Sequence, residues 1–155
     1  METLTLVPIN ASADTDSGIP NDPSFTALLE QQRNFYQRVG FDQPWIGYLA
    51  RLKGQFIGAA GFKGKPRDGK VEIAYHIFPE FQQQGLGTMV CRELVQMALK
   101  TDVTVRITAR TLPENNPSTR ILTRNGFDFS GTARDDDDGI DVWEWEYDKN
   151  FTFTG

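Results

Sequence analysis

The feature that most constrains the fold is a strand–turn–helix–strand unit in the middle of the 155-residue chain. Val71–Phe78 begins with alternating apolar residues, ends apolar and stops at Pro79, which predicts a strand. A glycine turn follows, and the apolar residues of Thr88–Lys100 recur at helical spacing. Val103–Arg110 alternates again as a strand. Two strands joined through a helix are expected to be parallel, with a right-handed crossover, which predicts an α/β (α+β) fold.

Further elements are predicted on both sides of this unit. The first half gives a strand at Thr3–Pro8, a polar loop at 10–24, a helix at Phe25–Arg38 that Ser24 could cap and Gly40 ends, and antiparallel strands at Trp45–Leu52 and Phe56–Phe62. The last third gives a short helix through Arg124 and strands near Phe127–Thr132 and Ile140–Tyr147. The length fits one domain over residues 1–155.

Composition narrows the classes of function. The chain has 16 Lys and Arg against 21 Asp and Glu, a net charge of −5, which argues against a nucleic-acid partner. No apolar run is long enough for a membrane span, and the amino terminus lacks a signal sequence, so a cytoplasmic protein without a membrane partner is expected. A single cysteine, Cys91, and a single histidine, His76, argue against disulfides and zinc sites, and no metal is expected. Cys91 itself is interpreted as a small buried apolar residue.

The turn Gln82–Gly87 lies where a strand ends and a helix begins, and such a turn directs unpaired backbone N–H groups toward one point. An anion can bind at that point, and the two glycines leave room for it. The P-loop pattern fails because no Gly-Lys-Ser/Thr follows, and the dinucleotide pattern fails because Val90 occupies the third glycine position. The turn therefore predicts an anion site of another kind.

Two motifs resemble the GNAT acetyltransferase superfamily. Gln82-x-x-Gly85-Leu86-Gly87 directly after a strand resembles its pyrophosphate turn. Downstream, Asn115-x-x-Ser118 followed by Leu122-x-x-x-Gly126-Phe127 resembles its second cofactor element. The spacing, together with Glu72-Ile73-Ala74-Tyr75, is similar to the Rim-type branch, the ribosomal-protein alanine acetyltransferases and their relatives. The resemblance covers approximately residues 45–147.

The resemblance implies a mixed, mostly antiparallel sheet that is splayed between Val71–Phe78 and Val103–Arg110, with helices on both faces. Acetyl-coenzyme A would lie in the gap as co-substrate. The contacts implied are the main chain of Ile77 and Phe78 and the side chain of Asn115 with the pantetheine arm, the amides of Gln83, Gln84, Gly85, Leu86, Gly87 and Thr88 with the pyrophosphate, and Ser118 in the second element.

The resemblance also implies catalytic residues. Glu72 matches the position of a general base in several members; the alternative is a solvated carboxylate at a strand end. His76, two alternations further along, is expected to share its sheet face at ~7 Å spacing, which would permit a Glu72–His76 relay; the alternative is a packed, hydrogen-bonded histidine. Tyr75 is expected to face the core.

The proton donor to the departing thiolate is less well defined. Many members carry a tyrosine four residues before the Gly-Phe pair, but Leu122 occupies that position here. Ser118 is the matching hydroxyl that remains, and its alternative role is a helix N-cap. A third alternative is that no dedicated acid exists.

Two features near the carboxyl terminus lie outside these motifs. The run Asp135–Asp138 fails as a calcium loop, because Arg134 and Trp145 occupy the end ligand positions. It is interpreted as a solvated hairpin tip, or as a region that attracts a cationic acceptor. Trp143, Trp145 and Tyr147 alternate onto one sheet face, where they pack in the core or form an acceptor wall or a homodimer contact.

The sequence thus predicts an N-acetyltransferase that transfers an acetyl group from acetyl-coenzyme A directly to a primary amine within a ternary complex. The amine belongs to a small molecule or to a peptide or protein amino terminus. Two alternatives remain open: a non-catalytic acyl-coenzyme A-binding module, and an unrelated domain in which the glycine turn only connects two elements.

Overall fold

The computed structural model describes residues 3–12, 18–135 and 138–151. The elements are β1 (Thr5–Pro8), α1 (Pro23–Val39), β2 (Gly47–Leu52), β3 (Gln55–Phe62), β4 (Lys70–Ile77), α2 (Leu86–Thr101), β5 (Arg106–Thr111), α3 (Pro117–Arg124), β6 (Phe127–Arg134) and β7 (Asp141–Tyr147). A single 3₁₀ turn, Pro79–Phe81, joins β4 to the loop before α2. Each predicted helix and strand is present, with ends that differ by a few residues.

The seven strands form one sheet in the order β1-β2-β3-β4-β5-β7-β6. All neighbours are antiparallel except β4 and β5, which are parallel as predicted. That pair is short: Lys70–Glu72 pairs with Arg106–Thr108, and beyond these residues the two strands separate. The remainder of β4 pairs only with β3, so one edge of β4 is free inside the sheet. The predicted splayed, mostly antiparallel sheet is confirmed.

Helices cover both faces of the sheet, also as predicted. On one face α2 buries Val90, Leu94 and Val95 completely against the sheet, and α3 packs beside it. On the other face α1 lies over β1 and β2, where the Tyr36 hydroxyl donates a 2.6 Å hydrogen bond to the carbonyl of Ile9. Because side chains alternate along a strand, Glu72, Ala74 and His76 of β4 lie on the α1 face and Val71, Ile73, Tyr75 and Ile77 lie on the α2 face.

The helix caps correct two expectations. Asp22, not Ser24, is the N-cap of α1: its carboxylate accepts from the Ser24 N–H at 2.8 Å, and Pro23 occupies the first helical position. These hydrogen bonds from Ser24 lower the pKa of Asp22. At α3, Asn116 is the cap and exchanges hydrogen bonds with Thr119, so the interpretation of Ser118 as an N-cap is wrong.

Among the helices that the described residues form, none combines the length and the apolar character needed to cross a bilayer.

Candidate active site

A cleft of about 600 Å³ opens beside the free edge of β4. Its walls come from three places: the end of β4, the loop and first turn of α2, and the start of α3. The lining residues are Tyr75, His76, Ile77, Phe81, Gln82, Gln83, Gly85, Leu86, Gly87, Thr88, Asn116, Pro117, Ser118, Arg120, Ile121 and Arg124. The separation of β4 from β5 therefore creates a cavity that faces two helix starts.

The start of α2 is built to receive an anion. Gly85 is the N-cap, with a φ of +75°, and it offers no side-chain oxygen to the first amides of the helix. Those amides have no partner within the helix and carry the positive end of its dipole. A Cβ at Gly85 would meet no atom within 4 Å, so the turn opens into free space. The Gln82 side chain fixes the loop by donating to the Ile77 carbonyl at 2.9 Å.

Gly87 was expected to leave room for an anion, but its missing side chain has a packing role. A Cβ there would lie 2.5 Å from Cδ1 of Ile121, so the missing side chain permits α2 and α3 to pack closely. One residue later, the Thr88 hydroxyl is buried and has no hydrogen-bond partner within the described part of the chain. An orphaned hydroxyl in the first turn of this helix is consistent with a ligand that accepts its hydrogen bond.

Seven of the ten expected cofactor residues line the cleft, and Phe78, Gln84 and Asn115 do not. The N–H of Phe78 donates to the Ile57 carbonyl at 2.9 Å, so it is engaged within the sheet. Asn115 is exposed, and the neighbouring Asn116 lines the cleft instead.

Sequence reasoning missed two arginines in this cleft. Arg120 and Arg124 lie one turn apart on α3, so both side chains reach the same face of that helix. Their i, i+4 spacing directly after the Asn-x-x-Ser motif was the signal available in the sequence. They supply two positive charges close to the anion site.

The Glu72 carboxylate is held by two cations. Its Oε2 lies 2.7 Å from Nζ of Lys63, and its Oε1 lies 3.9 Å from Nε of Arg110. Arg110 in turn contacts Glu144 at 3.3 Å. The Glu72 side chain is only 21% exposed, so the interpretation of a solvated strand-end carboxylate is wrong. The network sits at the point where β4 and β5 separate.

His76 lies on the same sheet face as Glu72, but the two side chains do not meet. Four residues of strand separate their Cα atoms by about 13 Å, whereas the ~7 Å spacing applies to neighbours two residues apart. No ion pair within 4.0 Å joins them among the described residues, so a direct Glu72–His76 relay is not formed. His76 is exposed, and its ring lies 6.1 Å from that of Phe78, so it is not a packed core histidine either.

Tyr75 packs against the core, as expected, and it also lines the cleft. Its hydroxyl lies 3.3 Å from the carbonyl oxygen of Ser118, and burial raises its pKa, so the phenol stays protonated. Leu122, at the position of the family tyrosine, is 1% exposed and offers no hydroxyl. Among the described residues that line the cleft, Tyr75, Thr88 and Ser118 carry hydroxyl groups, and Tyr75 and Ser118 lie where β4 meets α3.

A second hollow of about 480 Å³ lies on the α1 face, between α1 and strands β2–β4. Tyr75 and His76 line both cavities, so the two meet at β4 from opposite sides of the sheet. This arrangement can hold two different molecules at once on either side of one strand.

The remaining sequence candidates fall outside both cavities. Cys91 is fully buried, as predicted, and burial raises the pKa of its thiol. Trp145 and Tyr147 are buried on the helix-covered face, where the Trp145 indole N–H donates to Thr111 at 3.0 Å, which confirms core packing for these two. Of the acidic run, Asp136 and Asp137 lie outside the described residues.

Comparison with known proteins agrees with this geometry. A family model described as "Acetyltransferase (GNAT) domain" matches residues 4–128. An N-acetyltransferase of Bacillus subtilis, YjdG, is 27% identical over 118 residues, which cover 74% of this chain and 69% of that protein.

Solved structures share the fold at low identity. RimL, a ribosomal alpha-N-protein acetyltransferase in complex with coenzyme A, matches with a TM-score of 0.67 and 17% identity, covering 93% of each chain. A ribosomal-protein alanine acetyltransferase of Vibrio fischeri matches with a TM-score of 0.66 and 15% identity, covering 96% of this chain and 93% of that one. Because the family model spans most of the sequence, this chain belongs to the GNAT acetyltransferase family.

Proposed function

We propose that the protein transfers an acetyl group from acetyl-coenzyme A to a primary amine by direct transfer, in the cytoplasm. The observation that carries this proposal is the free edge of β4, which opens onto the uncapped start of α2 and the arginines of α3. An extended arm can pair with a free strand edge, and an anionic group can bind at a helix start.

The residues of the cleft fit a coenzyme A molecule. The open space at Gly85, the unpartnered hydroxyl of Thr88 and the charges of Arg120 and Arg124 suit its pyrophosphate and ribose phosphate. The net charge of −5 does not oppose this, because fixed charges act at contact distance while the field of the whole molecule is screened over ~8–10 Å. We infer that Ile77, Gln83–Thr88 and Ser118 contribute to this site, and that the contacts expected from Phe78 and Asn115 are made by residues that line the cleft, such as Asn116.

The chemistry can be assigned to side chains around β4. Bound acetyl-coenzyme A supplies an activated acetyl group. An amine in the α1-face hollow would lose its proton to water ordered by His76, which lines that hollow, or by Glu72, which lies on the same sheet face in the neighbouring hollow that Lys63 and Arg110 also line. Tyr75 and Ser118 lie on the other side and are placed to give a proton to the departing sulfur.

Direct transfer within a ternary complex is supported by the two cavities that meet at Tyr75 and His76, because both substrates can be bound together. The cysteine of the chain, Cys91, is a buried residue of α2 and lines neither cavity, so it offers no nucleophile for a covalent acyl-enzyme.

The test is release of coenzyme A thiol from acetyl-coenzyme A in the presence of a panel of primary amines and amino-terminal peptides. Amine-dependent release, with the acetylated amine found by mass spectrometry, is the expected result. Tight binding of coenzyme A with no release against any amine would instead support the alternative of a non-catalytic acyl-coenzyme A-binding module.

A further inference from the structure

The hollow on the α1 face has a charge opposite to that of the protein. Its wall on α1 includes Leu28, Gln31, Phe35 and Arg38, which lie on one stripe of that helix. Among its described lining residues the permanently charged groups are Arg38 and Lys63, and none is a carboxylate. Lys63 is paired with Glu72, so Arg38 supplies the uncompensated charge of the hollow, and this charge favours a ligand that carries a negative group.

The two cations lie at one end of this hollow. The carboxyl-terminal end of α1 lies over the residue that follows Lys63, because a Cβ at Gly64 would lie 3.3 Å from Cβ of Val39. The guanidinium of Arg38 stacks over the ring of Phe35, 5.2 Å from its centroid, and no carboxylate pairs with it in the described part of the chain. Lys63 already contacts Glu72 at 2.7 Å, so Arg38 is the cation left available.

Small residues of β2, β3 and β4 form the floor of the hollow, beside the free edge of β4. Gly47, Gly61 and Ala74 lie in register across β2, β3 and β4 on this face, so small residues form the floor. Ala74 is on the part of β4 that β5 has left, whereas Glu72 and its partner Lys63 are two residues back toward the paired part. Two residues of strand correspond to about 7 Å.

We propose that the acceptor is a small zwitterion, a primary amine that also carries a carboxylate, and that Arg38 binds this carboxylate. The inference rests on the proposed function. The amine lies beside Ala74, next to the free edge of β4, and the carboxylate points toward Arg38. The volume of about 480 Å³ is sufficient for a ligand of dipeptide size.

Charge selection of this sort excludes polyamines and aminoglycosides. Of the acidic turn, the described residues Asp135, Asp138 and Gly139 do not line the hollow where the amine must lie. A cationic acceptor would place its second positive charge against Arg38.

The experiment is calorimetric titration of alanyl-alanine, its carboxamide and spermidine into the wild-type protein saturated with coenzyme A. The same titrations are made with Arg38→Gln and with Arg134→Gln, which removes an equal charge at an exposed position outside the hollow. We expect the free acid to bind about tenfold more tightly than the carboxamide, and Arg38→Gln to remove that difference while Arg134→Gln keeps it. Coenzyme A affinity should be the same in all three proteins.

Equal binding of acid and carboxamide, preferred binding of spermidine, no binding of any acceptor, or an unchanged preference in Arg38→Gln would each overturn the proposal. Failure of the proposed function looks different, because it appears as loss of coenzyme A binding or as absence of thiol release, whichever acceptor is used.

Discussion

Replacing Glu72 by Gln separates a catalytic role from a structural one. The substitution removes the negative charge that Lys63 contacts at 2.7 Å, while Arg110 keeps its second partner, Glu144. Lys63 is 46% exposed and can return to water, so the loss of the pair should cost only about 0.5–1 kcal/mol of unfolding free energy. That corresponds to a fall of about 1–4 °C in Tm for a domain of this size.

Loss of a general base is a much larger effect. If Glu72 orders the water that takes the amine proton, Glu72→Gln should lower kcat by about 10²–10⁴-fold. The matched control is Lys63→Gln, which breaks the same ion pair but leaves the carboxylate in place. Thermal unfolding measures the structural part, and thiol release at saturating acceptor measures the catalytic part.

The predicted pattern is two similar shifts in Tm with a large loss of kcat in Glu72→Gln alone. If both variants lose kcat equally, or if Glu72→Gln loses less than about tenfold, Glu72 serves the sheet rather than the reaction and the base lies elsewhere.

Four further predictions concern other residues. Thr88→Val should leave Tm unchanged or higher, because the Thr88 hydroxyl has no hydrogen-bond partner within the described chain. The same substitution should weaken coenzyme A binding in calorimetry. The control, Thr88→Ser, should keep the coenzyme A affinity of the wild type. Tyr75→Phe should lower kcat by about tenfold or more with coenzyme A affinity unchanged, and an unchanged kcat would leave Ser118 or no dedicated acid. The hydrogen bonds from Arg106 lower the pKa of Glu146. The contribution of Glu146 to stability is therefore present above about pH 4.3 and is lost as the pH falls through the lowered pKa. The difference in unfolding free energy between the wild type and Glu146→Gln should be larger at pH 7 than at pH 3. Cys91→Ser should destabilise by about 1–3 kcal/mol, because it buries a hydroxyl among apolar groups, and the wild-type thiol should resist alkylation until the protein unfolds.

The order of elements and the splay could be predicted from the sequence because both rest on strong local signals. The periodicity of Val71–Arg110 determines a strand, a helix and a second strand, and the glycine turn determines where the cleft opens. The helix caps could not be chosen in the same way. Asp22 and Ser24, or Asn116 and Ser118, are two residues apart, and all four are residue types that cap helices. Only the backbone geometry around Pro23 and Thr119 decides between them.

The chemistry of the site was less predictable, because it depends on distances between elements. The pairing of Glu72 with Lys63 requires the β3–β4 register, which brings the Lys63 N–H to the Glu72 carbonyl at 2.9 Å. The strand rise alone rules out direct contact between Glu72 and His76, although their shared face was correct. The contact of Tyr75 with Ser118 joins residues 43 positions apart and has no local signal. The hollow that Arg38 and Lys63 line has no local sequence signal either, because these two residues are far apart in the chain.

The most direct test of the account is calorimetric titration of coenzyme A into the wild-type protein and into Gly85→Glu. The glutamate would occupy the open space at the start of α2 and set a negative charge against the anion site, while the φ of +75° adds a strain of about 1–2 kcal/mol that thermal unfolding can check. The account predicts micromolar binding to the wild type and its loss in a Gly85→Glu protein that remains folded. Absence of binding to the wild type, or equal binding to a folded Gly85→Glu, would contradict it.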